Sequence, residues 1–134
     1  MARIIDTPVQ QRFTDVDPFC HVNNVAQQMY FDVGKTDYYN KVLGGDVLMS
    51  GTRRILTVST STSYLAQIRM YDDVHVTTRC ERIGNKSMTL FQQLLVGERV
   101  CSESRSVMVA FDFETQEGIP VPAEWRRLLE QEAE

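Results

Sequence analysis

Nowhere does an apolar run in the 134 residues approach the roughly 20 needed to cross a bilayer. The N-terminal MARIIDTPVQ also lacks the long apolar core of a secretory signal. Both absences predict a cytoplasmic protein with no membrane partner. Positive charge is short as well. Against 18 Asp and Glu stand 14 Lys and Arg, a formal net charge of −4, which removes the electrostatic basis for nucleic-acid binding. Net charge does not bear on a small basic patch that could hold the phosphates of an anionic ligand. The three cysteines, Cys20, Cys80 and Cys101, are widely spaced and form no CxxC pair. That pattern excludes a disulfide framework and gives no zinc-ligand spacing, so free thiols in a reducing compartment are expected. Seven glycines and four prolines are too scattered to make a linker, and no repeat divides the chain. What is present is ordinary: 43% hydrophobic and 24% charged residues, enough for one soluble domain with its own core.

Periodicity then places the elements. Residues 7–14 read as a short first strand, and a turn-rich segment follows from Asp15 to Asn24. A helical stretch then runs to about Leu43, where Ala26, Met29, Tyr30 and Val33 make one apolar stripe. Phe31, Tyr38 and Val42 make a second stripe, so this helix should be wrapped by other structure. Gly44-Gly45 stops it. Beyond Gly51 the period changes to two. Leu56, Val58, Thr60, Thr62 and Tyr64 alternate with serines, and Val74, Val76, Thr78 and Cys80 alternate with polar residues that include His75 at the surface. Ile83-Gly84-Asn85-Lys86 and Gly97-Glu98 are turns that bound a strand from Ser87 to Val96. The next strand ends with Val107, Val109, Phe111 and Phe113 on one face. Three long strands on short turns form an antiparallel meander. Pro120 and Pro122 precede Trp125, Leu128 and Leu129 at the spacing of a short docking helix. One early helix followed by strands, without βαβ alternation, is an α+β chain whose antiparallel sheet curls around one long central helix. Its edge strands favour pairing across a two-fold axis.

Chemistry concentrates between Arg12 and Asn24. This stretch holds Asp15, Asp17, His21, Asn23 and Asn24 between a strand and the start of the helix. Asn23 or Asn24 suits the N-cap. The orphan amides of the first turn, with the helix dipole behind them, form a site for a developing oxyanion. A carboxylate beside such a site can attack a polarised carbonyl or activate water against it. A loop that only caps the helix accounts for the same residues, so the segment alone leaves both roles open.

The motif D-x-D-P-x-x-H-V-N-N at residues 15–24 resembles the 4-hydroxybenzoyl-CoA thioesterase family of hotdog-fold proteins. Tyr71-Asp72-Asp73-Val74, Asn85-Lys86-Ser87 and Pro120-Val121-Pro122 resemble that family too, in the expected order, so the likeness runs from about residue 8 to 130. It implies a single hotdog thioesterase domain over residues 1–134 that hydrolyses an acyl-CoA to a carboxylic acid and free coenzyme A. Coenzyme A is part of the substrate, and neither a metal nor another cofactor is called for. The resemblance makes Asp17 the nucleophile or general base and the Asn24 amide the donor to the thioester carbonyl, with Asp15 a structural acceptor in the loop. His21 matches the motif histidine of the related plant acyl-carrier-protein thioesterases and is a third catalytic candidate. Lys86, with Arg82, resembles a basic turn that contacts coenzyme A phosphates. Asp32 resembles a helix aspartate that reads a polar group on the acyl chain. A homodimer or homotetramer is implied, with the acyl pocket between subunits.

Two alternatives share the fold. An enoyl-CoA hydratase uses a related D-x-N-P-x-H motif, from which this chain departs at Asp17 and in the position of His21. A non-catalytic acyl-CoA-binding hotdog protein needs the pocket without the turnover.

Overall fold

The computed structural model describes residues 3–45 and 51–130. Strand β1 (Ile4–Val9) leads through a single 3-10 turn at Phe13–Asp15 to helix α1 (Asn24–Val42). Four long strands follow: β2 (Arg53–Tyr64), β3 (Val74–Ile83), β4 (Ser87–Val96) and β5 (Arg99–Asp112). A short β6 (Glu117–Gly118) and helix α2 (Ala123–Glu130) complete the order. The sheet runs β1-β3-β4-β5-β2, antiparallel throughout, with β6 on β5. The expected meander is therefore β3-β4-β5, and α1 packs on one face of the sheet. Among the described residues no helix is long and apolar enough to cross a membrane.

Register irregularities at Thr57/Ser59, Cys80/Arg82 and Leu94/Leu95 interrupt the ladders. Irregularities of this kind bend a strand and sharpen its twist, which curls the sheet toward the helix. How closely α1 lies is set by Gly34. A Cβ there would stand 2.7 Å from Val76 Cγ1 and 3.0 Å from both Gln92 Nε2 and Thr78 Oγ1. Only a residue without a side chain fits that contact. Gln92, 1% exposed, spans the same gap by donating to Phe31 O at 2.8 Å and Thr78 Oγ1 at 3.0 Å.

Two apolar clusters flank this polar band. Val22, Ala26, Tyr30, Phe31, Ile68 and Val74 lie under the start of α1. Tyr38, Val42, Met88 and Met108 lie under its end, sealed by Trp125 and Leu129 of α2. A fully buried leucine such as Leu129 contributes about 1.5–3 kcal/mol. The docking helix is as its spacing predicts.

Four expectations need correction. The first strand occupies Ile4–Val9 rather than 7–14, because the Asp15 carboxylate accepts the Arg12 amide and turns the following residues. Helix α1 is covered on one side only: Ala26 and Tyr30 are buried, whereas Val25, Met29 and Val33 form an exposed stripe. In β5, Val107, Val109 and Phe111 do share a face, but it points away from the helix. The inward face carries Ser102, Ser104 and Ser106, all buried, and continues into Met108 and Ala110. Strand β2 is an edge with little burial on either face; Val58 is 58% exposed.

Candidate functional site

The segment before α1 is built on Asp15. Its carboxylate is buried and accepts the Arg12 amide at 2.9 Å, the Arg12 guanidinium at 3.3 Å and the Tyr30 hydroxyl at 2.7 Å. Its carbonyl accepts the Asn23 amide at 3.0 Å. Burial by itself pushes this carboxyl up, but the Arg12 amide, the Tyr30 hydroxyl and the Arg12 charge together hold it below the usual carboxylate range. Asp15 therefore stays ionised and ties the loop to the second turn of the helix. That is the structural role expected of it.

From this anchor the chain makes a small closed loop. Val16 and Val22 form an antiparallel bridge, the Asp17 amide donates to His21 O at 2.9 Å, and the Cys20 amide donates to Asp17 O at 3.0 Å. Cys20 takes a φ of 65° to close the turn. The loop docks on the segment after β2: the Val22 amide donates to Ile68 O at 2.7 Å, and His21 bridges to Arg69. Asp17 Oδ1 accepts the Phe19 amide at 2.9 Å and the His21 amide at 3.4 Å. One carboxylate oxygen is thus held by the backbone. The other, Oδ2, has no protein partner among the described residues.

Of the two N-cap candidates it is Asn23 that caps the helix. Its Oδ1 accepts the Ala26 amide at 2.7 Å. The Asn24 amide, at the first helical position, has no acceptor among the described residues. Orphan donors of this kind carry the positive end of the helix dipole. Asp17, His21, Asn23, Asn24 and Gln27 line a pocket of about 350 Å³, closed on its other side by Tyr64 to Gln67. The sequence candidates Asp17, His21 and Asn24 are therefore brought together. A carboxylate oxygen without a protein partner and an unpaired helix-terminal N–H on residues of one pocket are the two groups needed to attack a carbonyl, or activate water against it, and to stabilise the charge that develops.

The remaining candidates lie elsewhere on the chain. Asp32 sits two turns further along α1, its side chain 75% exposed and 3.6 Å from Lys35 Nζ. It lines a separate depression of about 480 Å³ with Thr7, Val33, Thr36, Asp37 and Asn40. Lys86 and Arg82 are exposed at the β3–β4 hairpin, beside the cluster under the end of α1. The length of β3, roughly 30 Å at about 3.3 Å per residue, separates them from the end of the sheet that carries Asp17. Within one chain they do not share its pocket.

Cys20, Cys80 and Cys101 are free, and only Cys20 is exposed. Among the described residues no three metal-binding side chains cluster. His75 is more than a surface residue: Nδ1 lies 2.7 Å from Asp6 Oδ1 and Nε2 lies 3.1 Å from Gly97 O, clipping β1 to the β4–β5 turn. The hydrogen bonds to Gly97 and Asp6 raise its pKa. Sequence reasoning also missed Gln27, a buried amide that lines the pocket and accepts the Ser102 hydroxyl at 2.9 Å. Its one legible signal is a place three residues after Asn24, on the same face of the helix.

Comparison with known proteins bears on the family and the fold. A family model described as the thioesterase-like superfamily matches residues 11–129. The structure of a predicted thioesterase from Bacillus stearothermophilus is 28% identical, with a TM-score of 0.85 over 95% of this chain and 94% of that one. A thioesterase from Thermus thermophilus, complexed with coenzyme A and Zn, shares the fold at 24% identity, with a TM-score of 0.80 over 92% of this chain and 90% of that one. An uncharacterized protein of Bacillus subtilis, YsmA, is 31% identical over 84 residues, which are 61% of this chain and 54% of that protein. The matched region thus spans about half the length of that curated relative.

Proposed function

The chain belongs to the thioesterase-like superfamily and has its hotdog fold, and on that premise we propose that it hydrolyses an acyl-CoA thioester to a carboxylic acid and free coenzyme A. The observation that carries the proposal is the pocket in which Asp17 Oδ2 and the Asn24 amide are both without a protein partner among the described residues. The thioester carbonyl accepts from the Asn24 N–H. Asp17 then takes a proton from water as the water oxygen bonds to the carbonyl carbon, or its own oxygen forms that bond and water cleaves the resulting anhydride. In either course the C–S bond breaks, and the proton ends on the coenzyme A thiolate. His21, on the same pocket, orients the water. The chemistry asks for a base and an electrostatic donor, and for no metal or redox group. A donor of this kind is worth about 3–4 kcal/mol in comparable sites.

The pocket is completed by a second copy of the chain. Support for this comes from the outer edge of β2, unpaired among the described residues, and separately from the exposed Val25, Met29 and Val33 stripe on the uncovered side of α1. Lys86 and Arg82, remote from Asp17 within one chain, then hold coenzyme A phosphates in the site of a neighbouring copy. A thiol-release assay over a panel of aromatic, short and medium acyl-CoAs tests the proposal, with sedimentation to read the oligomer. Turnover well above the buffer rate supports it. Tight acyl-CoA binding without thiol release would replace it with a binding protein, and loss of an enoyl-CoA without thiol release with a hydratase.

A further inference from the structure

We infer that Gln27 makes the site selective for acyl-CoAs that carry a hydrogen-bond acceptor oxygen on the third acyl carbon, as 3-hydroxy or 3-oxo thioesters do. The inference rests on the thioesterase reading for where the carbonyl sits, and goes beyond it in naming the substrate class.

Gln27 is 5% exposed, yet it lines the pocket that holds Asp17 and Asn24. The orientation of its amide follows from its partners. Val22 O can only accept, so the group 3.3 Å from it is the NH2. The carbonyl Oε1 then faces Ser102, whose hydroxyl donates to it at 2.9 Å. Ser102 is fully buried and belongs to β5, so the side chain is held at both ends, by the loop and by the sheet. One N–H remains, and among the described residues it has no partner.

Nε2 already has Val22 O as a partner, and the second N–H on that nitrogen is the group a ligand acceptor in the pocket can still pair with. Its place indicates which acceptor. Gln27 is three residues beyond Asn24 on the same helical face, about 4.5 Å deeper along the axis. With the thioester carbonyl on the Asn24 amide, the acyl chain runs past Gln27, and an oxygen three bonds from the carbonyl carbon comes within its reach. An unsubstituted chain leaves the N–H unpaired. Sites built to hydrogen-bond a substrate oxygen discriminate against analogues that lack it for this reason.

The test is binding by calorimetry, which does not depend on turnover. The probes are butyryl and 3-hydroxybutyryl coenzyme A analogues in which a methylene replaces the thioester sulfur. Wild-type protein is expected to bind the hydroxylated member about three- to tenfold more tightly. In Gln27→Met the ratio of the two affinities falls to about one, whatever happens to either alone. Gln27→Glu, which keeps the shape and loses the donor, should lower it as well if the methionine variant does not fold. Equal affinities in the wild type, or an unchanged ratio in both folded variants, would overturn the inference. Failure of the thiol-release assay with a ratio above one would instead refute turnover and leave the selectivity standing.

Discussion

Replacing Asp15 with asparagine separates the two aspartates of the motif by what each holds. The Asp15 carboxylate takes two donors on one oxygen and the Arg12 guanidinium on the other. Asparagine can keep one oxygen against the Arg12 amide and Tyr30 hydroxyl, but its NH2 then faces the guanidinium, donor against donor. The loss is one charge-assisted hydrogen bond plus the charge itself in a buried position, about 2 kcal/mol. For a domain of this size that lowers Tm by about 8 °C. The pH dependence gives an independent check. The folded pKa of Asp15 lies below the ordinary value, so its stabilisation is fully present above the unfolded pKa and is lost as pH falls through the folded one. The difference in Tm between wild type and Asp15→Asn should therefore be largest near neutrality and shrink in acid. Calorimetric or fluorescence melts across that range read it directly. Equal melting at neutral pH, or a difference that persists undiminished in acid, would refute the role given to Asp15.

Other expected outcomes follow from single contacts. Gly34→Ala puts a methyl 2.7 Å from Val76 Cγ1 and should cost about 1–3 kcal/mol in a denaturant titration, despite the better helix propensity of alanine. Asn23→Ala removes the acceptor for the Ala26 amide and should destabilise by about 1 kcal/mol in the same titration. His75 meets acceptors at both ring nitrogens, so its charged form is favoured and its pKa is raised. Its stabilisation is complete below pH 6.5 and is lost as pH rises through the raised value, so the Tm gap to His75→Gln should close in alkaline buffer.

Local features of this chain are legible in its residues. The N-cap, the end of α1 before Gly44, the turns at residues 83–86 and 97–98 and the docking helix all depend on neighbours in sequence, and the structure has them. The motif loop is legible as well, because its strand-to-helix turn is set by Asp15 and Asn23 within ten residues. Long-range facts are not. Val25, Met29 and Val33 look like core by hydropathy, and only the position of the sheet shows that they are uncovered. Ser102, Ser104 and Ser106 look like an outward face, but the long-range register of β5 against β4 turns them inward. The same limit hid Gln27, whose meaning depends on a serine in β5, and hid the distance between Lys86 and Asp17. Spacing along the chain reports what a residue can do locally, and not which distant residue shares its pocket.

The most direct measurement is thiol release by Asp17→Asn beside wild type on the best acyl-CoA of the panel. Asparagine keeps an oxygen for the Phe19 and His21 amides, so the loop and the melting temperature should be unchanged. Turnover should fall by at least about a hundredfold. Turnover within a few-fold of wild type in a protein that melts normally would contradict the assignment of the reacting carboxylate to Asp17.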